Sequence, residues 1–209
     1  MPKKLYIVRH GETAQNREKK FQSEDIPLSE EGFAQAHDVA KRFEKISLDV
    51  VYTSPMVRAH QTAQAIADVV RLPVNSISSL GELTRPTSLM GKGLFEPEGM
   101  EFKRLAWEHR HDVSWHFEDE ANIQEFIVRH RIFKKFVEKD SHERILAVTH
   151  GLVMKSLVGV FIFPHLDPSD FYMDAYSSLY ISNTGITEFE QKDDGTWVLV
   201  TWNDQQHLG

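Results

Sequence analysis

Lys4-Leu5-Tyr6-Ile7-Val8-Arg9-His10-Gly11-Glu12-Thr13 decides how this chain is read. Residues 5–8 form a short apolar run rich in β-branched and aromatic side chains. Such a run predicts a strand buried on both faces, central in a parallel sheet. Arg9, His10 and Gly11 then fall at its carboxyl end, the edge where open α/β sheets bind ligands. Alone, Arg-His-Gly fits equally well a charged loop with one surface histidine.

Two further stretches repeat the arrangement. Ile145-Leu146-Ala147-Val148 is a second buried-type strand and ends in Thr149-His150-Gly151. Val50-Val51-Tyr52-Thr53 is a third, followed by Ser54-Pro55-Met56-Val57-Arg58. Parallel strands would bring their carboxyl ends to one edge of the sheet, gathering His10, His150, Arg9 and Arg58. Arginine forks beside histidines suit a small, doubly negative group such as phosphate.

With these pieces in place, the chain resembles the histidine phosphatase superfamily, the phosphoglycerate-mutase-like fold. The matching residues are Arg9-His10-Gly11-Glu12-Thr13 with Asn16, Pro27-Leu28-Ser29 with Gly32, Ser54-Pro55 with Arg58 and Thr62, Glu82-Leu83, and Thr149-His150-Gly151. They follow the family's order across almost the whole chain and are specific as a set. The fold expected is α/β, a three-layer α/β/α sandwich with a mostly parallel central sheet. It should form a single domain over residues 1–209, with a substrate-capping insertion at about 84–119.

Composition narrows the classes. The chain has 209 residues, 41% of them hydrophobic, which fits one domain with a sizeable core. A formal net charge of -7 argues against non-specific binding to nucleic acid or acidic membranes. An acidic protein that binds a phosphate dianion must concentrate positive charge locally. The absence of cysteine removes disulfides, thiolate chemistry and zinc-thiolate sites. The few apolar residues before Arg9 do not make a signal peptide, and the apolar stretch 152–163 is interrupted by Lys155 and too short to span a bilayer. A cytoplasmic location is the default expectation.

The remaining chain is read from periodicity and punctuation. Residues 11–26 form a polar loop that brings Asn16 toward the site, with Gln22 a further candidate. Ser29 is the expected N-cap of a helix with Phe33, Ala36, Ala40 and Phe43 on its buried stripe, running to about residue 46. Pro55 is expected at the first position of the next helix, with Arg58 in its positive first turn. His37 and His60 are expected on helix surfaces, and residues 74–77 as a short strand. Between 84 and 119, residues 91–99 read as loop and 100–110 as a helix. His109, His111 and His116 there lack a metal-ligand pattern, whereas Arg85, Lys92 and the aromatics could contact the substrate. Ile123, Phe126, Ile127, His130, Phe133 and Val137 make a helical stripe, with His130 a packed core residue, and 151–163 reads as a buried helix. Alternation over 179–182, 186–190 and 197–202, with turns at 183–185 and 194–195, predicts antiparallel strands.

Phosphomonoesters need charge neutralisation and positioning more than activation. Arg9 and Arg58 can present planar forks to phosphate oxygens. His150, if protonated, adds a cation and Asn16 a neutral donor, and Gln22 and Gly151 complete the candidate phosphate-binding set. The resemblance implies that His10 attacks phosphorus and becomes a phosphohistidine. Glu82 then acts as general acid, and no cofactor or metal is required. The expected partner is a small phosphorylated metabolite, with no nucleic acid and no membrane; the oligomeric state is open, a homodimer included. Three functions compete: a phosphatase, a phosphoglycerate-mutase-type isomerase, and a non-catalytic phospho-ligand-binding protein. Mutases of this superfamily carry Glu-Arg-His-Tyr-Gly at the acid, whereas this chain has Glu82-Leu83-Thr84-Arg85-Pro86. That departure favours the phosphatase. Retention of His10, Arg58 and His150 argues against a non-catalytic role.

Overall fold

The computed structural model describes residues 2–119 and 122–209. Its sheet has six strands: β1 (Lys4–Arg9), β2 (Val50–Thr53), β3 (Val74–Ser76), β4 (Arg144–Thr149), β5 (Ile186–Gln191) and β6 (Trp197–Asp204). Their spatial order is β3-β2-β4-β1-β5-β6. The first four are mutually parallel, and β5 and β6 add an antiparallel edge beside β1.

The helices are α1 (Ala14–Arg17), α2 (Glu30–Phe43), α3 (Val57–Val70), α4 (Pro97–Glu108), α5 (Ile123–Lys139), α6 (Gly151–Ile162) and α7 (Pro168–Ser178). The apolar runs of the central strands feed two cores at once, because successive side chains alternate between faces. Leu5, Ile7, Val50, Tyr52, Ile145 and Ala147 pack under α5 and α6. Tyr6, Val8, Val51, Leu146 and Val148 pack against α2 and α3 on the opposite face. The protein is therefore a three-layer α/β/α sandwich with a mixed, mostly parallel sheet.

That layering creates the crevice. The chain leaves β1 toward α2 on one face, whereas it leaves the adjacent β4 into α6 on the other. Adjacent parallel strands whose connections diverge leave a gap at their carboxyl ends, where ligands of such sheets bind. The register pairs Arg9 with Thr149, and the His10 amide donates to the Thr149 carbonyl at 2.9 Å. The Ser54 amide donates to the Val148 carbonyl, also at 2.9 Å. His10, His150 and Ser54 thus emerge side by side.

Several local expectations differ from the structure. Phe33 is half exposed; the buried stripe of α2 is Gly32, Ala36, Val39, Ala40 and Phe43. The cause is a close approach of backbones. A Cβ on Gly32 would lie 2.0 Å from the Glu12 carbonyl oxygen, and one on Gly11 2.4 Å from that of Gly32. Gly32 must face inward, which turns Phe33 out. Helix α2 also ends at Phe43, not residue 46. Pro55 precedes α3 because Met56 is its N-cap, in extended conformation. Helix α4 begins at Pro97, where proline needs no amide, so part of the expected 91–99 loop is helical. Residues 179–182 form no strand, and α7 lies just before them, unforeseen.

Residues 84–119 contribute α4 and a 3₁₀ turn at Thr87–Leu89. Phe102 and Leu89 pack on Phe21, with Leu94, Ala106 and Phe117 around them, as a third core outside the sandwich. Phe21 comes from the loop after β1, so this segment is tied to the same edge of the sheet as the histidines.

Candidate active site

His10 is buried at the end of β1, and its ring lies 5.1 Å, centroid to centroid, from that of His150 at the end of β4. His10 Nδ1 is 2.7 Å from the Gly11 carbonyl oxygen. A carbonyl only accepts, so Nδ1 carries the ring proton and donates it there. When the imidazole is neutral, Nε2 then holds a free lone pair. Burial, followed by the neighbouring Arg58, His150 and Arg9, pushes His10 well below the usual histidine range. His10 is thus a neutral base with its lone pair defined, which is what attack on phosphorus requires.

His150 is held from the other side. Its Nε2 is 2.7 Å from Ser54 Oγ, and the Met56 amide donates to that same oxygen at 3.2 Å. Ser54 is fully buried and its hydroxyl has no other acceptor among the described residues, so its proton goes to Nε2; an imidazole N–H pointed at it would leave that proton unpaired. The proton of neutral His150 therefore sits on Nδ1, a buried atom with no protein partner. Burial, then Arg58 and Arg9, also push His150 well below its usual range. The third cation anticipated from sequence is thus a neutral donor in this environment.

Arg9 is tethered at one nitrogen and Arg58 at two, the second bond running to the Met56 sulfur at 3.2 Å. Arg9 donates to the Ile181 carbonyl at 2.7 Å, and Arg58 to the Ser23 carbonyl at 2.8 Å. Their Nε atoms are buried without partners. Desolvation lowers both guanidinium pKa values, Arg58 to about 10. A guanidinium does not lose its proton in proteins, so both side chains carry charge. Thr62 supports this corner, accepting from the Gly11 amide at 3.0 Å and donating to the Arg58 carbonyl at 2.8 Å.

Arg9, His10, Asn16, Gln22, Arg58, Glu82 and Gly151 line one cavity of about 570 Å³. Glu82 has both carboxylate oxygens aimed by backbone amides, from Leu83 at 3.0 Å and from Leu152 in the first turn of α6 at 3.2 Å. Asn16 lies within α1 and completes the capping box of its N-cap Thr13: its Oδ1 accepts from the Thr13 amide at 3.3 Å and from Asn183 at 3.2 Å. Gln22 Oε1 accepts from the Thr13 hydroxyl at 2.8 Å. Glu12 faces elsewhere, toward Arg17 and Ser29. Lys92 pairs with Glu98 at 3.5 Å and does not line the cavity, whereas Arg85 does.

Two contributors were not singled out from sequence. Asn183 donates to the His10 carbonyl at 2.9 Å and to Asn16, tying the first strand's turn to the segment before β5. In sequence it was only a turn residue. Lys155 lines the cavity from α6, with its ammonium 2.5 Å from the Tyr176 carbonyl and over that residue's ring. It was visible only as a break in an apolar run. Basic lining residues (Arg9, Lys19, Lys20, Arg58, Arg85 and Lys155) outnumber the acidic Glu24 and Glu82, although the whole chain is acidic.

The histidines expected to be structural are so placed. His130 is fully buried, 2.7 Å from Ser156 Oγ, and His109 stacks on Trp115. His111 gathers with Asp167 and Asp170, but Arg110 Nε sits 2.9 Å from the same Asp170 oxygen that His111 approaches at 3.0 Å. That carboxylate is already neutralised by the chain's own cation. Among the described residues, no helix is long and apolar enough to cross a membrane.

A crevice of this shape, with histidines delivered by β1 and β4, belongs to a known family: the chain is a member of the histidine phosphatase superfamily (branch 1), whose model matches residues 5–205. It is 32% identical to phosphoglycerate mutase-like protein 4 of Arabidopsis thaliana, over 98% of this chain and 86% of that protein. Among solved structures, YhfR of Bacillus stearothermophilus superimposes with a TM-score of 0.81 at 27% identity, covering 99% of each chain. A mutant phosphoserine phosphatase of Entamoeba histolytica, in complex with phosphoserine, superimposes at 0.79 with 28% identity, again over 99% of each.

Proposed function

We propose that this protein is a phosphatase that hydrolyses a phosphomonoester at the β1–β4 crevice through a phosphohistidine on His10. One observation carries the reading. Arg9 Nε, Arg58 Nε and His150 Nδ1 are buried without protein acceptors, and all three residues lie near enough to His10 to act on its charge. Each such donor costs about 1–3 kcal/mol, and more when charged, unless a ligand supplies the acceptor. A tetrahedral dianion offers several acceptors at once, and its charge matches the two guanidinium groups.

In this mechanism His10 Nε2 attacks phosphorus as the bond to the ester oxygen breaks, and Glu82 gives that oxygen its proton. The alcohol leaves. Water, losing a proton to Glu82, then attacks the phosphohistidine and releases inorganic phosphate with His10 regenerated. Arg9, Arg58 and the Nδ1 proton of His150 hold the equatorial oxygens, while Asn16, Gln22 and the start of α6 at Gly151 border them. The arginines supply the neutralisation that a metal supplies elsewhere. The sequence at the acid supports hydrolysis over isomerisation, since Glu82-Leu83-Thr84-Arg85-Pro86 lacks the basic, aromatic segment of the mutases. In the same proposal the substrate is a small phosphorylated metabolite of the cytoplasm, and residues 84–119 cap its binding site.

Acid-stable phosphoesters and phosphohistidine are told apart by acid and base lability. Brief incubation with labelled substrate should trap an acid-labile, base-stable phosphoprotein in the wild type. His10→Ala should trap none and lose about 10⁴-fold or more in kcat. A His10→Ala protein of normal activity would overturn the assignment.

A further inference from the structure

A second cavity of about 370 Å³ adjoins the first. Phe21, Leu83, Arg85, Leu94, Tyr176 and Ser177 line both, so the two meet along these side chains. The walls of the second come mainly from α4 and the segment after it, facing α5 and α7. They include Met100, Phe102, Trp107, Trp115, Tyr172 and Met173.

The polar side chains of this chamber are turned to the protein itself. Lys103 donates to the Leu94 carbonyl at 2.7 Å and lies over the Phe95 ring, and Arg104 is paired with Glu101 and Glu108. Asn122 spends its side chain on the Glu125 amide and the Val113 carbonyl. At the neck, the Arg85 guanidinium lies over the rings of Phe102 and Phe21, at 5.5 and 6.0 Å from their centroids. The rest of the lining is mostly aromatic, aliphatic and thioether, with Ser177 and two tyrosines adding hydroxyls. A chamber of this size and lining matches the general character of small-molecule pockets, mostly apolar with few polar groups.

We propose that the substrate is a two-part molecule: a phosphate held at His10 and an aliphatic or aromatic body seated in this chamber. The inference rests on the phosphatase reading of the crevice. A small hydrophilic acid would leave the aromatic walls in contact with water, whereas an apolar body would be taken out of water by them. The neck then acts as the selecting point. The phosphate must stay on the arginine side, because the chamber offers it no unpaired cation among the residues just described.

A homologous series of n-alkyl phosphates from ethyl to hexyl, compared with phosphoserine, tests this with the unmodified protein. All the alkyl esters share leaving-group chemistry, so differences report binding of the body. Transfer of each buried methylene should raise kcat/KM about fourfold until the chamber is filled. Hexyl phosphate should also shift the fluorescence of Trp107 and Trp115 to shorter wavelength in His10→Ala, where no turnover complicates binding, and ethyl phosphate should not. Ala106→Phe, which narrows the chamber, should flatten the chain-length dependence. Hydrolysis with no chain-length dependence, or phosphoserine preferred over every alkyl ester, would overturn the apolar-body proposal while leaving the phosphatase intact. Hydrolysis of no ester, with no phosphohistidine formed, would remove the phosphatase reading itself.

Discussion

Ser54 never touches the phosphate in the mechanism above, yet its hydroxyl decides which nitrogen of His150 does. Ser54→Ala removes an oxygen that receives the Met56 amide proton and delivers its own to His150 Nε2. Without that donor the free protein no longer favours the proton on Nδ1, and a bound anion must draw it there at a cost in its own binding. The other tautomer turns a lone pair toward a phosphate oxygen, replacing attraction with repulsion. A hydrogen bond to a charged group is worth about 1.5–3 kcal/mol, so kcat/KM should fall roughly 10- to 150-fold. The effect on folding should be smaller, about 0.5–1.5 kcal/mol for one neutral hydrogen bond.

Steady-state hydrolysis of a phosphomonoester measures the first quantity and thermal melting the second. The Ki of inorganic phosphate separates positioning from mere support. If His150 presents its proton to the bound anion, phosphate affinity should weaken along with kcat/KM, at temperatures where the variant is fully folded. A protein with a lowered Tm but kcat/KM and phosphate Ki within twofold of wild type would refute the tautomer argument. Ser54 would then be only a brace for the turn between β2 and α3.

Two other predictions concern protons. Glu82→Gln should slow an alkyl phosphate by about 10²–10⁴-fold, the range of general acid catalysis, and should slow p-nitrophenyl phosphate much less when phosphoenzyme formation is rate-limiting. Equal slowing of both under that condition would remove Glu82 as the acid. Acid should destabilise the fold through His10, His150 and His130, the last lowered by burial to about 3. In the unfolded chain these take up protons below about pH 6.5, but in the folded chain only at much lower pH. Stability therefore falls as pH drops below about 6.5, by up to about 1.4 kcal/mol per pH unit for each residue, and is unaffected by them above it. Melting curves between pH 7.5 and 5 measure the slope, and imidazole nitrogen shifts should show His10 still neutral and protonated on Nδ1 at pH 6. A His10 that titrates near 6.5 would contradict the burial argument.

The parts of this molecule legible in the sequence are those where one local pattern sufficed. Residues 5–8 and 145–148 are apolar without alternation because each strand is covered on both faces, Leu5 and Ile7 by one core, Tyr6 and Val8 by the other. Once these strands are parallel and in register, the positions just past their ends must be neighbours. That is why His10, Arg9, His150 and Arg58 could be grouped before any coordinates, and why the motifs of the family carried Glu82 and Asn16 with them. What stayed hidden depends on contacts that no local pattern encodes. Asn183 reaches the His10 carbonyl across 173 positions of sequence, and nothing around it differs from an ordinary turn. Phe33 has helical spacing with Ala36, Ala40 and Phe43 but is turned out by the backbone contact that Gly32 makes with Glu12.

The chamber beside the site is the same problem on a larger scale. Phe102 and Trp107 fall on the helix expected over 100–110, but the surface that helix faces is not written in its own residues, and α7, which closes the far side with Tyr172 and Met173, has little amphipathic signal of its own. Neither wall makes a cavity without the other, so the reaction was readable from strand ends but the fit to a substrate was not. The two differ in physical origin. Phosphate chemistry needs a few charged and basic groups at positions the sheet register dictates, and these can be recognised one motif at a time. Selection among phosphomonoesters needs surfaces contributed by four separated segments, Phe21 from the first loop, α4, the start of α5 and α7, whose meeting is set by packing alone. A relative could therefore keep the residues of the crevice and replace the chamber, changing its substrate without changing its reaction.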